Sequence, residues 1–168
     1  MTMSLALPIS APLETAERTL IMDWRVVPAK SRIRFAAGRF LGASRGTLRN
    51  VSGVVRLIEG QPRYTHLDIR VPVATLDRHA RRRLKLDGDR YPFVSFYGWR
   101  IRGDARRSFA LDGELQLGEL RRRVVANVVT TSYRFDEASE SEEATFRAAL
   151  NLGGWLRLII DVTLNRRT

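Results

Sequence analysis

The chain has 168 residues and a hydrophobic fraction of 44%, enough for one domain with a sizeable core and too apolar for wholesale disorder. Its net charge is +11, carried by 29 basic residues of which only Lys30 and Lys85 are lysines. Cysteine is absent, which excludes disulfides, thiolate metal sites and cysteine nucleophiles, and no apolar run is long enough to cross a bilayer as a helix.

Residues 1–20 read as an irregular N-terminal leader and residues 21–168 as a single domain. The first 13 residues carry no Lys or Arg and are interrupted by Pro8 and Pro12. A secretory signal needs a basic start and an unbroken apolar stretch, so the expectation is a cytoplasmic protein rather than a periplasmic or secreted one. Trp24 opens the folded part. Residues 31–36 alternate, with Arg32 and Arg34 on one side and Ile33 and Phe35 on the other, the pattern of a half-buried strand. Residues 44–59 predict a longer strand region, with Gly46 and Gly53 marking bends or bulges. After the turn signal Gln61-Pro62, residues 65–73 place Leu67, Ile69, Val71 and Val73 on one face and His66, Asp68 and Arg70 on the other.

The period then changes. Leu76, Ala80 and Leu84 recur every four residues, with Arg78, Arg81, Arg82 and Lys85 around them. This predicts a short amphipathic helix over 76–86, capped by Thr75 and ended by Gly88, with a basic outer face. Strands resume at 93–102, 108–117 and 120–135, and after an acidic turn at 136–143 at 145–152 and 156–164. Many strands, short connections and one helix predict an all-β fold, a single antiparallel sheet closed into a barrel.

Few residues suggest chemistry. Gly42-Ala43-Ser44-Arg45-Gly46 matches the G-x-S-x-G form of a serine nucleophile elbow, whose partners would be Asp68 and His79. The elbow needs a following helix, and residues 47–57 read as strand, so a turn is the better reading. His66 and His79 are the only histidines and lack the clustered ligands of a metal site; Asp87-Gly88-Asp89 lacks the spaced carboxylates of a calcium loop. No cofactor is expected. The triplets at 81–83 and 121–123, and Tyr97 and Trp99 beside Arg100 and Arg102, fit either an anion-binding surface or ordinary solvated faces.

Several phrases resemble the YceI-like family of small bacterial lipid-binding barrels. Tyr91-Pro92 followed by Val94 and Phe96 carries most of the resemblance, then Gly113-Glu114-Leu115 with Gly118. Trp24 to Pro28 with Ser31 to Phe35, the glycine steps at Gly46 and Gly53, and Val73 to Asp77 agree in order. The chain departs from the family at Lys30, where His is frequent, in the short helical segment before Tyr91, and at Asn151-Leu152-Gly153-Gly154, where an Arg-x-Asp-Phe-Gly-like phrase is usual. The resemblance implies a lipocalin-like barrel that holds an isoprenoid or fatty-acyl ligand without turning it over. Lining residues are then Ile33, Phe35, Leu67, Ile69, Val71, Val94, Phe96, Leu115, Leu117 and Val128, with Arg78, Arg81 and Arg82 meeting an anionic head group or membrane surface. The rival readings are a nucleic-acid or acidic-partner module using the outer arginines, a hydrolase acting through Ser44, and a filled barrel that contacts another protein.

Overall fold

The computed structural model describes residues 21–38, 44–58, 61 and 65–167; the leader at 1–20 and the Gly42-Ala43 half of the elbow motif lie outside the described residues. The strands are β1 (Ile21–Val26), β2 (Arg32–Ala37), β3 (Ser44–Leu48), β4 (Ser52–Ile58), β5 (His66–Pro72), β6 (Phe93–Asp104), β7 (Ser108–Leu117), β8 (Leu120–Asp136), β9 (Ser141–Leu152) and β10 (Leu156–Arg167). All pairings are antiparallel, and β1 closes the sheet onto β10. β1 and β2 are two halves of one stave, both paired to β10, and β3 and β4 are two halves of the next, so the barrel has eight staves.

The break in the first stave has a local cause. Pro28 lacks a backbone N–H and starts a 3₁₀ turn over Pro28–Lys30. Ser31 repairs the ladder: its hydroxyl donates to the Val27 carbonyl at 2.8 Å and accepts from the Thr163 N–H at 3.0 Å. The second stave breaks at Asn50, which takes a left-handed conformation (φ 58°) that asparagine tolerates.

Helix α1 (Arg78–Arg83) is shorter than the predicted 76–86. Asp77, not Thr75, is its N-cap, accepting from the Ala80 N–H at 2.7 Å; the Thr75 hydroxyl instead donates to the Pro72 carbonyl. Its end is a Schellman turn: Leu86 N–H donates to the Arg81 carbonyl at 2.8 Å and Lys85 N–H to the Arg82 carbonyl at 3.1 Å. Lys85, with φ 52°, holds the left-handed position, and Gly88 falls in a later turn. The four-residue period still marked the buried side, since Leu76, Ala80 and Leu84 are all in the core. β5 pairs with β4 and β6 but not with β3, which leaves the outer edge of β3 without a strand; α1 packs there.

The other expected strands form, most of them longer than their apolar runs. β9 begins at Ser141, within the stretch expected to be turn, because Glu142 and Glu143 continue the ladder opposite Arg166 and Asn165. The core is the barrel interior, contributed by alternate residues of every stave.

Candidate functional site

The interior divides along the barrel axis. At the end nearer β8–β9 turn 137–140, inward residues such as Trp24, Val55, Ile101, Leu111, Val162 and Leu164 are packed in the core. At the end nearer α1, an apolar void of about 40 Å³ is lined by Ile33, Phe35, Leu48, Ile69, Val71, Leu84, Val94, Ser95, Phe96, Leu115, Leu117, Leu156, Leu158 and Ile160. Strand register builds the wall in rows, because residues paired across an antiparallel ladder share a face: Ile69 faces Phe96 and Phe96 faces Leu115, while Phe35 faces Leu158 and Ile33 faces Ile160.

Two glycines make room for the large rings of this wall. A Cβ on Gly113 would collide with the Phe96 ring and one on Gly46 with the Phe35 ring. This gives a physical reason for glycine in the Leu111-Asp112-Gly113-Glu114-Leu115 phrase: Gly113 leaves the room that the Phe96 ring fills, while its ladder partner Gly98 faces Leu111 and Leu67.

Of the ten residues expected to line a ligand tunnel, Ile33, Phe35, Ile69, Val71, Val94, Phe96, Leu115 and Leu117 surround the void. Leu67 and Val128 are buried in the core but do not line the void. Sequence reasoning missed Leu48, Leu84, Ser95, Leu156, Leu158 and Ile160 as lining residues. Leu156, Leu158 and Ile160 alternate along β10 and so share one face; the meeting of β10 with β2 and the placing of Leu84 against the void depend on closure.

Arg78, Arg81 and Arg82 come together with Lys85, Leu86, Asp87, Gly88 and Asp89 around an open groove of about 460 Å³. Arg122, by its register opposite Leu115, occupies an inward row, yet it is exposed at the barrel rim. Elsewhere many arginines lie in ion pairs on the outer sheet. Asp161 meets Arg34 and Arg147 at 3.3 and 2.6 Å, and Asp112 meets Arg100 and Arg102 at 2.6 and 2.8 Å. Hydrogen bonds from Arg102, and then from Arg100, hold the Asp112 carboxyl below the usual range. Arg166, helped by Tyr133, does the same for Glu142. Arg123 lies over the Trp99 ring at 5.9 Å. The aromatic and basic residues at 97–102 are therefore largely engaged with neighbouring strands. Lys30, where the family often has His, pairs with Glu143 at 2.7 Å.

Ser44 opens β3 and is followed by strand, without the helix a nucleophile elbow requires. Its hydroxyl nevertheless lies 3.4 Å from Nε2 of His79 on α1. Asp68 is bound to Arg70 at 3.0 Å on the outer face of β5, and among the described residues His79 has no carboxylate partner. Among the described residues no cluster of three or more His, Asp or Glu could hold a metal, and no helix is long and apolar enough to cross a membrane.

The model of the YceI-like domain matches residues 24–164. The chain belongs to the YceI-like family. This YceI-like barrel is similar to the crystal structure of BcnA from Burkholderia cenocepacia, with 14% identity, a TM-score of 0.59, and coverage of 84% of this chain and 99% of BcnA. It is also similar to the YCEI protein of Campylobacter jejuni, with 14% identity, a TM-score of 0.57, and coverage of 72% and 84%. At such identity these structures support the fold alone. No curated protein matches the chain. The YceI-like family is one of barrels that bind hydrophobic ligands, which directs attention to the void beneath α1.

Proposed function

We propose that this YceI-like protein binds and carries a hydrophobic, lipid-like molecule, isoprenoid or fatty-acyl in class, inside the barrel and without chemical change. The observation that carries the reading is the void, walled almost wholly by aliphatic and phenyl side chains at one end of the barrel. Such a wall, whose single polar side chain is that of Ser95, removes an apolar tail from water, at about 0.8 kcal/mol per buried methylene.

The void of about 40 Å³ is far below the ~300–1,000 Å³ of a small-molecule pocket. Lipid entry therefore involves displacement of lining side chains. The segment most suited to move is α1 with Leu84, because it is attached to β3 by side chains and not by a strand ladder.

The test is native mass spectrometry of protein purified from cells without detergent, followed by extraction of any bound lipid and titration with farnesol and palmitate. A stoichiometric co-purifying lipid, or saturable uptake of either probe, is expected. A clean apo mass together with no uptake would sink the proposal and favour a filled barrel that acts through its surface.

A further inference from the structure

β8 and β9 outrun the strand beside them. The ladder between β7 and β8 ends at Ser108 and Val129, with one further bond from the Thr130 N–H to the Arg107 carbonyl at 2.8 Å. The ladder between β8 and β9 continues to Asp136 and Ser141. Residues 131–136 thus belong to a hairpin that projects past the β6–β7 turn, with a strand on one side only among the described residues. A bulge between Thr130 and Ser132 marks the place where β7 gives out.

An uncovered ladder edge is a template for another strand unless its sequence blunts it. This one carries no proline, and Arg134 is its one charge before Asp136. Tyr133 and Phe135 stand opposite Ala144 and Glu142, on the face that continues the barrel interior, and are 57% and 53% exposed. Large rings left open beside free main-chain groups suit strand addition, in which backbone hydrogen bonds and alternate side chains both contribute.

Charge selects the occupant. At the far end of the edge the β8–β9 turn presents Glu137, exposed and without an ion pair among the described residues. At the near end lies the β6–β7 turn, held to β8 by the Thr130 hydroxyl on the Ala105 carbonyl at 2.8 Å. There Arg106 acts on Glu142 and Tyr133, while Arg107 is exposed and has no ion pair among the described residues. An antiparallel strand on this edge must bring a cation to Glu137 and an anion to Arg107. The same segment of a second copy, turned about a two-fold axis, does both at once: its Arg107 meets Glu137 and its Glu137 meets Arg107.

We infer that this edge pairs with its own copy, giving an isologous dimer in which two β8 strands run antiparallel through residues 131–136. The inference is independent of the reading of the void. Antiparallel pairing points the two α1-covered ends away from each other, so the contact leaves both voids accessible.

The test is sedimentation velocity on the full chain over a range of concentrations. A reversible monomer–dimer equilibrium is expected, and Phe135→Lys should shift it towards monomer. Arg107→Glu and Glu137→Arg each set like charges across both halves of the contact and should weaken dimerisation about fivefold or more. Arg107→Glu/Glu137→Arg restores opposite signs and should return it to near the original strength, a rescue that misfolding of the single variants could not produce. Monomer at every concentration, or a dimer indifferent to these substitutions, overturns the inference. A double variant as weak as the single ones overturns the two-fold arrangement. A monomer in which every amide of residues 131–136 resists hydrogen exchange assigns the edge to another segment, such as residues 1–20, and also overturns it.

Discussion

The Ser44 hydroxyl and His79 Nε2 lie 3.4 Å apart, joining the start of β3 to the outer turn of α1 where no strand covers the β3 edge. Ser44 is buried and His79 exposed, so the contact fastens the helix over the barrel end more readily than it serves chemistry. Ser44→Ala should cost about 1 kcal/mol, the net contribution of one such hydrogen bond. Hydrogen exchange should then quicken at the Ala80 and Leu84 amides ahead of the sheet amides. Loss of a hydrolytic activity in this variant would contradict the assignment.

Leu158 is buried in the wall of the void, opposite Phe35. Leu158→Ala enlarges an existing cavity instead of opening one in a packed region, and a loss of about 2–5 kcal/mol is expected in urea unfolding. Saturating farnesol should recover part of that loss in the variant, because a ligand that binds only the folded state stabilises it. Equal destabilisation with and without farnesol would place the ligand elsewhere.

Gly113 is predicted to resist even alanine. A methyl group there meets the Phe96 ring and the Tyr97 carbonyl, so Gly113→Ala should destabilise by about 1–3 kcal/mol through overpacking. Gly113→Ala/Phe96→Leu should recover stability relative to the single glycine variant. Additive losses would mean that the ring is not the obstacle.

Lys85 offers the opposite sign. A non-glycine residue in the left-handed region is strained, and replacement by glycine relieves that strain against the extra entropy glycine has when unfolded. Lys85→Gly is expected to leave stability unchanged or raise it by up to about 1 kcal/mol, measured by thermal and urea unfolding.

Acid should destabilise the protein through Asp112 and Glu142. Both carboxyls are held below their ordinary values, Asp112 chiefly by Arg102 and Glu142 chiefly by Arg166. A carboxylate with a lowered folded pKa contributes stability above its unfolded pKa of about 4 and loses it as the pH falls through the folded value. Urea midpoints measured from pH 6 to pH 2 should fall, and the fall should be shallower in Asp112→Asn. An unchanged slope would show that the Arg100–Asp112–Arg102 cluster contributes little.

The barrel was legible in the sequence because alternation has a period of two wherever one face of a strand is buried, and almost every strand here obeys it. Ile33 with Phe35, Ile69 with Val71, and Val94 with Phe96 announced the inward faces, and the spacing of Leu76, Ala80 and Leu84 announced the buried side of the helical segment. The extent of the helix was not legible, because Asp77 and Lys85 set its ends through backbone hydrogen bonds that periodicity does not encode. Local pattern also cannot tell a lining residue from a packed one. Leu67 and Val128 alternate as well as Ile69 and Phe96, yet only closure of β1 onto β10 and the placing of α1 decide where the void falls. The same tertiary closure brings Ser44 to His79 and Phe35 to Leu158, pairs 35 and 123 residues apart that no local preference could specify. The sequence by itself thus determined which faces are apolar and where the positive charge gathers. The three-dimensional packing of the staves decided which apolar residues enclose space and which cations stand beside it.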